Sequence, residues 1–415
     1  MINRLLPRGQ LFESFVKLMS GTGLAQLIAV FSVPVLARVY SAADFGVLGI
    51  YMSTATITGV LVTGRYDSAI PVPESDEDAW GLFMLTLSLI SMMALGLLLG
   101  LSLWRPPFLT GLRQCVWMVP FGVFMTAGIT TSEYWLNRKG QFGWVAKSRL
   151  AGAIIIFCVQ FLLGINSFRG PGLVIGFFSG TAFTAAINLW KSCKIKPRNE
   201  IPNLNELKAI AKKYIRFPQY LLAGQLLNTA SNHLPTIIIG NFFGTRVTGW
   251  YTLGNRALAM LDLVATAAGQ VFYPEAARQY QAKGNCLGLY RKMFGKFFLF
   301  SVIVFPVIFL VLPDGFSLIL GHKWRAAGEL TRWLVPLFFM RFIFSPLSVL
   351  FYIGGRQDYY LYRQILLIIL VVTSMYAGIK HANITLAVAL YSLTYVISYA
   401  IDGFISFRLA KGEKI

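Results

Sequence analysis

Charged residues are scarce in this 415-residue chain, since Asp, Glu, Lys and Arg together make up only 13% of it. A soluble globular domain carries about 25% charged residues. Hydrophobic residues reach 56% here, and the mean hydropathy is +0.62. This balance excludes an ordinary soluble domain and indicates an integral membrane protein with room for about a dozen spans and short connections.

Cysteine and histidine are also rare, with 4 and 3 residues respectively. The cysteines have no C-x-x-C spacing and no histidine cluster beside them, which argues against a disulfide framework or a zinc site. The glycine pairs are not followed by the Lys-Ser/Thr of a phosphate-binding loop, which argues against ATP hydrolysis. We therefore expect neither a metal nor an organic cofactor.

Acidic residues number 17 against 37 basic ones, which gives a net charge of +20. The basic residues lie between apolar runs rather than in a soluble domain. They are therefore interpreted as charges that anchor the inner face of a membrane protein, and not as a nucleic-acid site.

One acidic cluster stands out, Glu74-Ser75-Asp76-Glu77-Asp78. In letters, Asp76-Glu77-Asp78 matches the D-x-D with which a glycosyltransferase holds a metal and a sugar nucleotide. However, Ser75 is followed three residues later by Asp78, just before an apolar run, as in a helix capping box. We favour the capping interpretation.

Uncharged runs of bilayer length occupy most of the chain. Leu18–Ala37 and Phe45–Gly64 flank a short polar turn and predict a transmembrane helical hairpin. Similar runs continue to the end, and a basic segment divides them into two equal sets. We predict an all-α integral membrane protein of about twelve transmembrane helices. Residues 1–190 would form an N-terminal six-helix bundle, 191–216 a cytoplasmic basic linker, and 217–415 a C-terminal six-helix bundle.

The first hairpin has a counterpart in the second half of the chain, around residues 224–277. Pro34 aligns with Pro235, and Gly46 then falls close to Gly249. Paired hydropathy patterns in two halves are typical of transporters built from repeats. We therefore expect the halves to superpose about an axis along the membrane normal. The excess of Lys and Arg on one side of the predicted spans places both termini in the cytoplasm.

Ionisable residues inside spans are informative because each costs about 2.5–3.5 kcal/mol at a helix centre, so they normally face a cavity or a partner. Arg65, Arg256, Arg341 and, at a helix mouth, Arg38 outnumber the intramembrane carboxylates. Arg341 and Asp402 are isolated in the sequence. Because the arginine fork suits phosphate oxygens, these arginines predict a cationic cavity that binds a phosphate-bearing cargo. Structural Arg–Asp pairing between helices is the alternative.

Polar residues follow helical stripes on the leading pair of spans in each half. In the second half, Asn228 and Asn232 lie on one stripe, and Asn255 and Asp262 lie on the next; we expect the asparagines to contribute to substrate binding. Asp262 is six residues from Arg256, so the two do not form an i, i+4 pair. Asp262 is therefore the candidate for coupling transport to a proton or a sodium ion.

Several short motifs carry a family resemblance: Ser20-Gly21-Thr22-Gly23, Ser41-Ala42-Ala43-Asp44-Phe45-Gly46, Gly64-Arg65-Tyr66-Asp67-Ser68-Ala69-Ile70, Gly249-Trp250-Tyr251 and Gly321-His322-Lys323-Trp324-Arg325-Ala326-Ala327. With these motifs, the chain resembles the polysaccharide-transporter (Wzx-type) flippases of the MOP superfamily. The resemblance covers nearly the whole chain.

This resemblance implies two six-helix bundles around a central cavity and a transporter, not an enzyme, in the bacterial inner membrane. Its substrate would be an undecaprenyl-diphosphate-linked oligosaccharide that crosses by alternating access, for O-antigen, capsule or exopolysaccharide synthesis. Its partners would include the lipid bilayer, a polysaccharide polymerase and a chain-length regulator.

Two alternatives remain open. A membrane-embedded glycosyltransferase or polymerase would need catalytic residues on a sizeable outer loop. The longest predicted outer loop, 314–332, is short, which argues against this alternative. A drug or cation antiporter of the same superfamily should have acidic rather than basic residues in its cavity.

Overall fold

The computed structural model describes residues 8–104, 106, 111–112, 115–166, 168, 170–197, 203–354 and 356–413. Side chains are described for these residues except 8–22, 357–358 and 360. The side chains of Ser20, Gly21 and Thr22 and residues 198–202 of the predicted linker therefore lie outside the described part. All regular secondary structure within these ranges is helical, which confirms the all-α prediction.

The chain forms two compact units, Met1–Thr229 and Ala230–Ile415. The helices of the first unit are α1 (Arg8–Val39), α2 (Ala42–Thr63), α3 (Asp76–Leu103), α4 (Met118–Arg138), α5 (Phe142–Ile165), α6 (Gly172–Lys194) and the short α7 (Leu204–Lys213). The next helix, α8 (Leu222–Phe242), crosses the boundary between the units. The predicted division at 1–190, 191–216 and 217–415 stays a prediction.

The second unit continues with α9 (Gly244–Leu258), α10 (Leu261–Lys283), α11 (Leu287–Leu320), α12 (Arg325–Thr331), α13 (Val335–Phe344), α14 (Leu350–Ile353), α15 (Gln357–Lys380) and α16 (Ile384–Ala410). A turn at residues 259–260 separates α9 from α10. The segment His322–Phe344 meets Leu347–Ile353 at a bend of 50°.

Among the described helices, 9 are long and apolar enough to cross a membrane, or up to 10 if the bent pair is one span. Gly23–Val39 adds a shorter apolar helix. The polar helix α8, with its asparagines, lies outside that set but has 21 residues. α1 to α6 thus precede α7, and α8, α9–α10, α11, α12–α14, α15 and α16 follow it, in the predicted order of spans.

Side-chain caps fix several helix starts. Ser41 begins α2 with a capping box, since Asp44 N donates to Ser41 Oγ and the Asp44 carboxylate accepts from Ser41 N. Ser75 begins α3, where Asp78 N donates to Ser75 Oγ over 3.1 Å. The capping interpretation of the acidic cluster is therefore confirmed.

Close backbone approach holds the first unit together. α5 and α6 pack along a line of glycines, where a Cβ on Gly180 would lie only 2.6 Å from the Gly152 carbonyl oxygen. A Cβ on Gly176 would lie 2.8 Å from the backbone nitrogen of Gln160. Small residues of this kind let membrane helices come into van der Waals contact along their backbones. α1 also packs along α5.

Aromatic side chains fill the core of the second unit. Phe305 and Phe342 lie with ring centroids 5.8 Å apart, and Phe297 and Phe300 also pack on Phe342. Edge-on and offset contacts of this kind are favoured by the ring quadrupoles. The core therefore joins α11 to α13, and α13 in turn packs on α16.

Candidate functional site

Arg65 lies in a strained turn immediately after α2. Gly64 and Arg65 have φ angles of 54° and 61°, both in the left-handed region. Glycine adopts this region freely, whereas another L-residue pays roughly 1–2 kcal/mol. Two local hydrogen bonds hold the turn, because Arg65 N donates to Thr63 Oγ1 and Ser68 Oγ donates to Arg65 O. Strain at a non-glycine residue of this kind is typical of functional sites.

A buried carboxylate faces the Arg65 guanidinium. Arg65 Nη1 lies 3.8 Å from Asp67 Oδ2, and the Asp67 side chain is 2% exposed. Burial raises the pKa of Asp67 above its ordinary value, against the opposing effect of the Arg65 charge. Arg65 Nε is buried and meets no hydrogen-bond acceptor among the described residues. The guanidinium is therefore only partly satisfied by the protein, which leaves donor capacity for a ligand.

A cavity of about 260 Å³ lies between α2 and α4, with Arg65 and Asp67 at one end. Its other lining residues are small or carry hydroxyls: Ala55, Thr56, Gly59, Val60, Thr63, Thr126, Ala127 and Thr130. The threonine hydroxyls donate to backbone carbonyls of their own helices, as Thr56 does to Met52 O over 2.7 Å. Their remaining lone pairs can accept hydrogen bonds, so the cavity combines a cation with acceptors suited to sugar hydroxyls.

Arg38 does not join this cavity. Arg38 is exposed in the last turn of α1, close in the chain to the start of α2. Arg65, by contrast, follows the end of α2. The 22 residues of α2 separate the two ends by roughly 33 Å at 1.5 Å per residue. Arg38 and Arg65 thus lie at opposite ends of the first unit.

An ion pair joins α10 to α13 in the second unit. Arg341 Nε lies 3.2 Å from Asp262 Oδ2, with the two side chains 31% and 19% exposed. The isolation of Arg341 expected from the sequence is therefore wrong, because its partner is on another helix, 79 positions away. The pair faces a partly open surface, on which Thr266 and Gln270 are exposed further along α10.

A second ion pair is deeply buried. Arg363 Nε lies 3.0 Å from Asp402 Oδ2, and the side chain of Asp402 is 1% exposed. Arg363 Nε also approaches Ser398 Oγ to 3.1 Å. The expected isolation of Asp402 is wrong as well. Arg363 directly precedes the uncharged run 364–379, so the sequence predicts it in a connection between spans and gives no sign of its buried partner.

Three tyrosines at i, i+4 spacing on α16 form a buried ladder beside these pairs. The ring centroids of Tyr391 and Tyr395 are 5.1 Å apart, and those of Tyr395 and Tyr399 are 6.2 Å apart. Tyr251 on α9 meets Tyr391 edge-on at 6.4 Å, and the Arg363 guanidinium lies 5.5 Å from the Tyr399 ring. The i, i+4 spacing of the three tyrosines is visible in the sequence and is the signal from which this ladder could be predicted.

The remaining predicted site residues lie in partly buried positions. Asn228 and Asn232 are on α8, Asn255 and Arg256 are in the last turns of α9, and Asp262 is in the first turn of α10. The turn at 259–260 interrupts the single stripe that a uniform helix would give. Their roles in substrate binding stay predictions. Among the described residues, no group of three His, Cys, Asp or Glu side chains is placed to hold a metal ion.

Comparison with solved structures shows the fold. The chain superposes on the lipid II flippase MurJ in an inward closed conformation with a TM-score of 0.75 and 11% identity, over 95% of this chain and 90% of that one. An inward-facing multidrug resistance MATE family transporter of the MOP superfamily gives 0.69 and 13%, over 95% of each chain. The MATE multidrug transporter DinF-BH gives 0.65 and 13%, over 97% and 95%. The chain has the fold of MOP-superfamily transporters.

Sequence comparison shows the family. The teichuronic acid biosynthesis protein TuaB of Bacillus subtilis is 20% identical over 198 residues, which cover 46% of this chain and 40% of that relative. The match thus spans less than half the length of the curated relative. A family model described as polysaccharide biosynthesis protein matches residues 35–329, more than two thirds of the chain. The chain therefore belongs to this family of polysaccharide biosynthesis proteins.

Proposed function

We propose that this protein is a flippase that moves undecaprenyl-diphosphate-linked oligosaccharides across the bacterial inner membrane by alternating access. Both termini would be cytoplasmic, and the product would serve O-antigen, capsule or exopolysaccharide synthesis, alongside a polymerase and a chain-length regulator. The family and the MOP-superfamily fold support a transporter of lipid-linked glycans. The substrate class is inferred from one observation: Arg65 lies at the end of a cavity lined by threonines.

A diphosphate that leaves water loses hydration worth far more than a single contact can return, so it needs fixed positive charge nearby. Arg65 offers a guanidinium with an unpartnered Nε at the end of a cavity. The cavity threonines would accept hydrogen bonds from sugar hydroxyls next to the diphosphate. The polyprenyl chain would stay in the lipid, where burying its hydrocarbon costs nothing.

In the second unit, the Asp262–Arg341 pair supplies an ion-sensitive element. Binding a proton or a sodium ion at Asp262 would neutralise the carboxylate and release the Arg341 fork toward phosphate oxygens. Arg256, Asn228, Asn232 and Asn255 would add donors for phosphate oxygens and sugar hydroxyls. Arg38, at the opposite end of its unit from Arg65, would meet the substrate at a different stage of the cycle.

The test is transport of purified undecaprenyl-diphosphate-linked glycan in proteoliposomes, with Arg65→Ala and Arg65→Lys beside the parent protein. One arginine–phosphate contact is worth about 1.5–3 kcal/mol, so Arg65→Ala should reduce transport about ten- to a hundredfold. Arg65→Lys should recover part of the loss, since lysine keeps the charge and loses the fork. Exposed Arg246, on α9, provides a control substitution to Ala. Parental transport by well-folded Arg65→Ala protein would refute the role of Arg65.

A drug or cation antiporter is the second candidate, because the fold is shared with MATE transporters and Asp67 contributes a carboxylate to the cavity. Asp67 already faces Arg65, so the cavity carries no clear negative excess. Uptake of rhodamine 6G by the same proteoliposomes, together with no glycan transport, would favour the antiporter.

A further inference from the structure

The short helix α7, between the two sets of long helices, is docked on the first unit. Its residues Leu207, Ile210 and Ala211 pack into the cluster around Trp80 on α3. Lys208 and Lys212 are exposed on the opposite side. α7 is therefore an amphipathic helix whose apolar residues Leu207, Ile210 and Ala211 are partly buried against α3.

Glycine at position 81 allows this docking. A Cβ on Gly81 would lie 2.2 Å from Ile210 Cδ1, so a larger side chain there competes with Ile210 for the same space. Gly96, further along α3, has open space around its Cβ position. A substitution at Gly81 should therefore disturb the docking of α7, whereas the same substitution at Gly96 tests whether α3 needs glycine for another reason.

One polar contact connects α7 to the segment that carries Arg65, and a second connects α7 to the start of α3. The Tyr66 hydroxyl donates to the Ala211 carbonyl oxygen over 3.2 Å. Lys213 Nζ lies 2.5 Å from Asp78 Oδ2, and this hydrogen bond raises the pKa of Lys213. The Lys213 pair is exposed to water and contributes little by itself, whereas the tyrosine bond is part of the packed surface between α7 and this segment.

Tyr66 stands in the chain between Arg65 and Asp67, the charged pair at the end of the cavity. On its other side, the loop is held by Arg138, whose guanidinium donates to the carbonyl oxygens of Ile70, Pro71 and Pro73. The strained Arg65 turn is therefore fixed between α4 and α7. Release of α7 would remove one of these two supports.

We propose that α7 is a positioning element that holds Arg65 at the end of its cavity, and that Tyr66 is the positioning residue through which it acts. This inference rests on the proposed function. The segment joining the two sets of long helices would then set the affinity of the diphosphate site in the first unit. When α7 leaves α3, the Arg65 turn relaxes from its left-handed conformation and the guanidinium leaves the cavity.

The experiment uses Gly81→Leu, Ile210→Ala, the double variant, and Gly96→Leu as the matched control, all in the full-length protein. Hydrogen exchange of residues 64–75 reports on the turn without any substrate. Binding of undecaprenyl diphosphate to the purified protein reports on the site. Gly81→Leu should increase exchange and weaken binding about tenfold or more, Ile210→Ala in the same chain should restore most of both, and Gly96→Leu should change neither.

Tyr66→Phe keeps the ring and removes the hydrogen bond to Ala211, so it covers the case in which Gly81→Leu does not fold. One such bond is worth about 0.5–1.5 kcal/mol, so exchange at 64–75 should rise about two- to tenfold and binding should weaken in parallel. Unchanged exchange in both Gly81→Leu and Tyr66→Phe would overturn the positioning role. Increased exchange with unchanged undecaprenyl diphosphate binding would also overturn it. If the parent protein binds no undecaprenyl diphosphate, the proposed function fails, whatever the exchange shows.

Discussion

The two units show similar helix contacts but differ in the ion pairs that join their helices. In the first unit α5 packs on α6, α4 on α6 and α3 on α4; in the second, α15 packs on α16, α13 on α16 and α11 on both α12 and α13. Glycine allows close backbone approach in both units, at Gly180 on α6 and at Gly378 on α15, and aromatic rings join α3 to α4 as well as α11 to α13. The ion pairs differ in burial: Asp402, paired between α15 and α16, is 1% exposed, whereas Glu133, paired between α4 and α5, is 11% exposed. The same kind of helix contact can therefore be accompanied by a charge pair that is sealed in the core or by one that is partly open.

The first helices of the two units mark a clear difference. α1 packs along α5 over much of its length, whereas its counterpart α8 makes no comparably extensive contact with α15 among the described residues. α8 carries Pro235 and the asparagine stripe, and it crosses the boundary between the units. α8 also contributes Ile239 to the buried core of the second unit.

The largest effect expected is on the buried ion pair of the second unit. Arg363→Ala leaves the Asp402 carboxylate in the core without its countercharge, which typically costs about 3–5 kcal/mol. The exposed pair Arg325–Asp314 offers a control, since both side chains are more than half exposed and Arg325→Ala should cost under about 1 kcal/mol. Denaturant unfolding in detergent compares the two variants. A loss below about 1 kcal/mol for Arg363→Ala would mean that Asp402 is neutral in the folded protein.

The next effect concerns the glycine packing of the first unit. Gly180→Ala places a Cβ within 2.6 Å of a backbone oxygen that cannot move without the whole of α5. Overpacking of this kind costs about 1–3 kcal/mol. Gly315→Ala in the second unit is the counterpart, because its Cβ would meet only Val311 Cγ1 at 4.0 Å and should be tolerated. Equal thermal stability of both variants would mean that the close approach of α6 to α5 at Gly180 does not contribute to stability.

A smaller effect on stability is expected from two buried tyrosines of the second unit, Tyr290 and Tyr395, which differ in the hydrogen bonding of their hydroxyls. The Tyr290 hydroxyl donates to the Gly403 carbonyl oxygen over 3.1 Å, so Tyr290→Phe should cost about 1 kcal/mol. The Tyr395 hydroxyl is buried and faces the Tyr391 hydroxyl, but within the described part of the chain it makes no hydrogen bond of good geometry. Tyr395→Phe should therefore be neutral or slightly stabilising in the same unfolding assay. A large loss for Tyr395→Phe would show that its hydroxyl is bound to something other than protein.

Much of this arrangement could be read from the sequence, for physical reasons that differ between features. The length of apolar runs predicts spans because the thickness of the bilayer determines that length. The Ser75 cap is also predictable, because it depends on two residues that are three positions apart. Pairing between helices has no such local signal. Asp262 and Arg341 are separated by 79 positions, and only the packing of α10 on α13 brings them together. The opposite positions of Arg38 and Arg65 were accessible in advance, since a full span lies between them, but the shared charge suggested a shared site.

Asp262 and Asp67 extend the comparison of the two units to function. Each carboxylate faces an arginine, but Asp262 lies on a partly open surface and Asp67 is buried beside the cavity. Asp262→Asn keeps the shape and removes the charge, and its amide oxygen can still accept a hydrogen bond from Arg341 Nε, so the loss of stability should be about 1 kcal/mol. Its transport should nevertheless no longer respond to an imposed proton or sodium gradient, because the group that binds the ion is gone.

Asp67→Asn should alter the transport rate through Arg65 while leaving the response to the gradient as in the parent. Proteoliposomes loaded with each gradient in turn measure this directly. A parental response in Asp262→Asn would make that residue structural, and a lost response in Asp67→Asn would place ion coupling in the first unit instead.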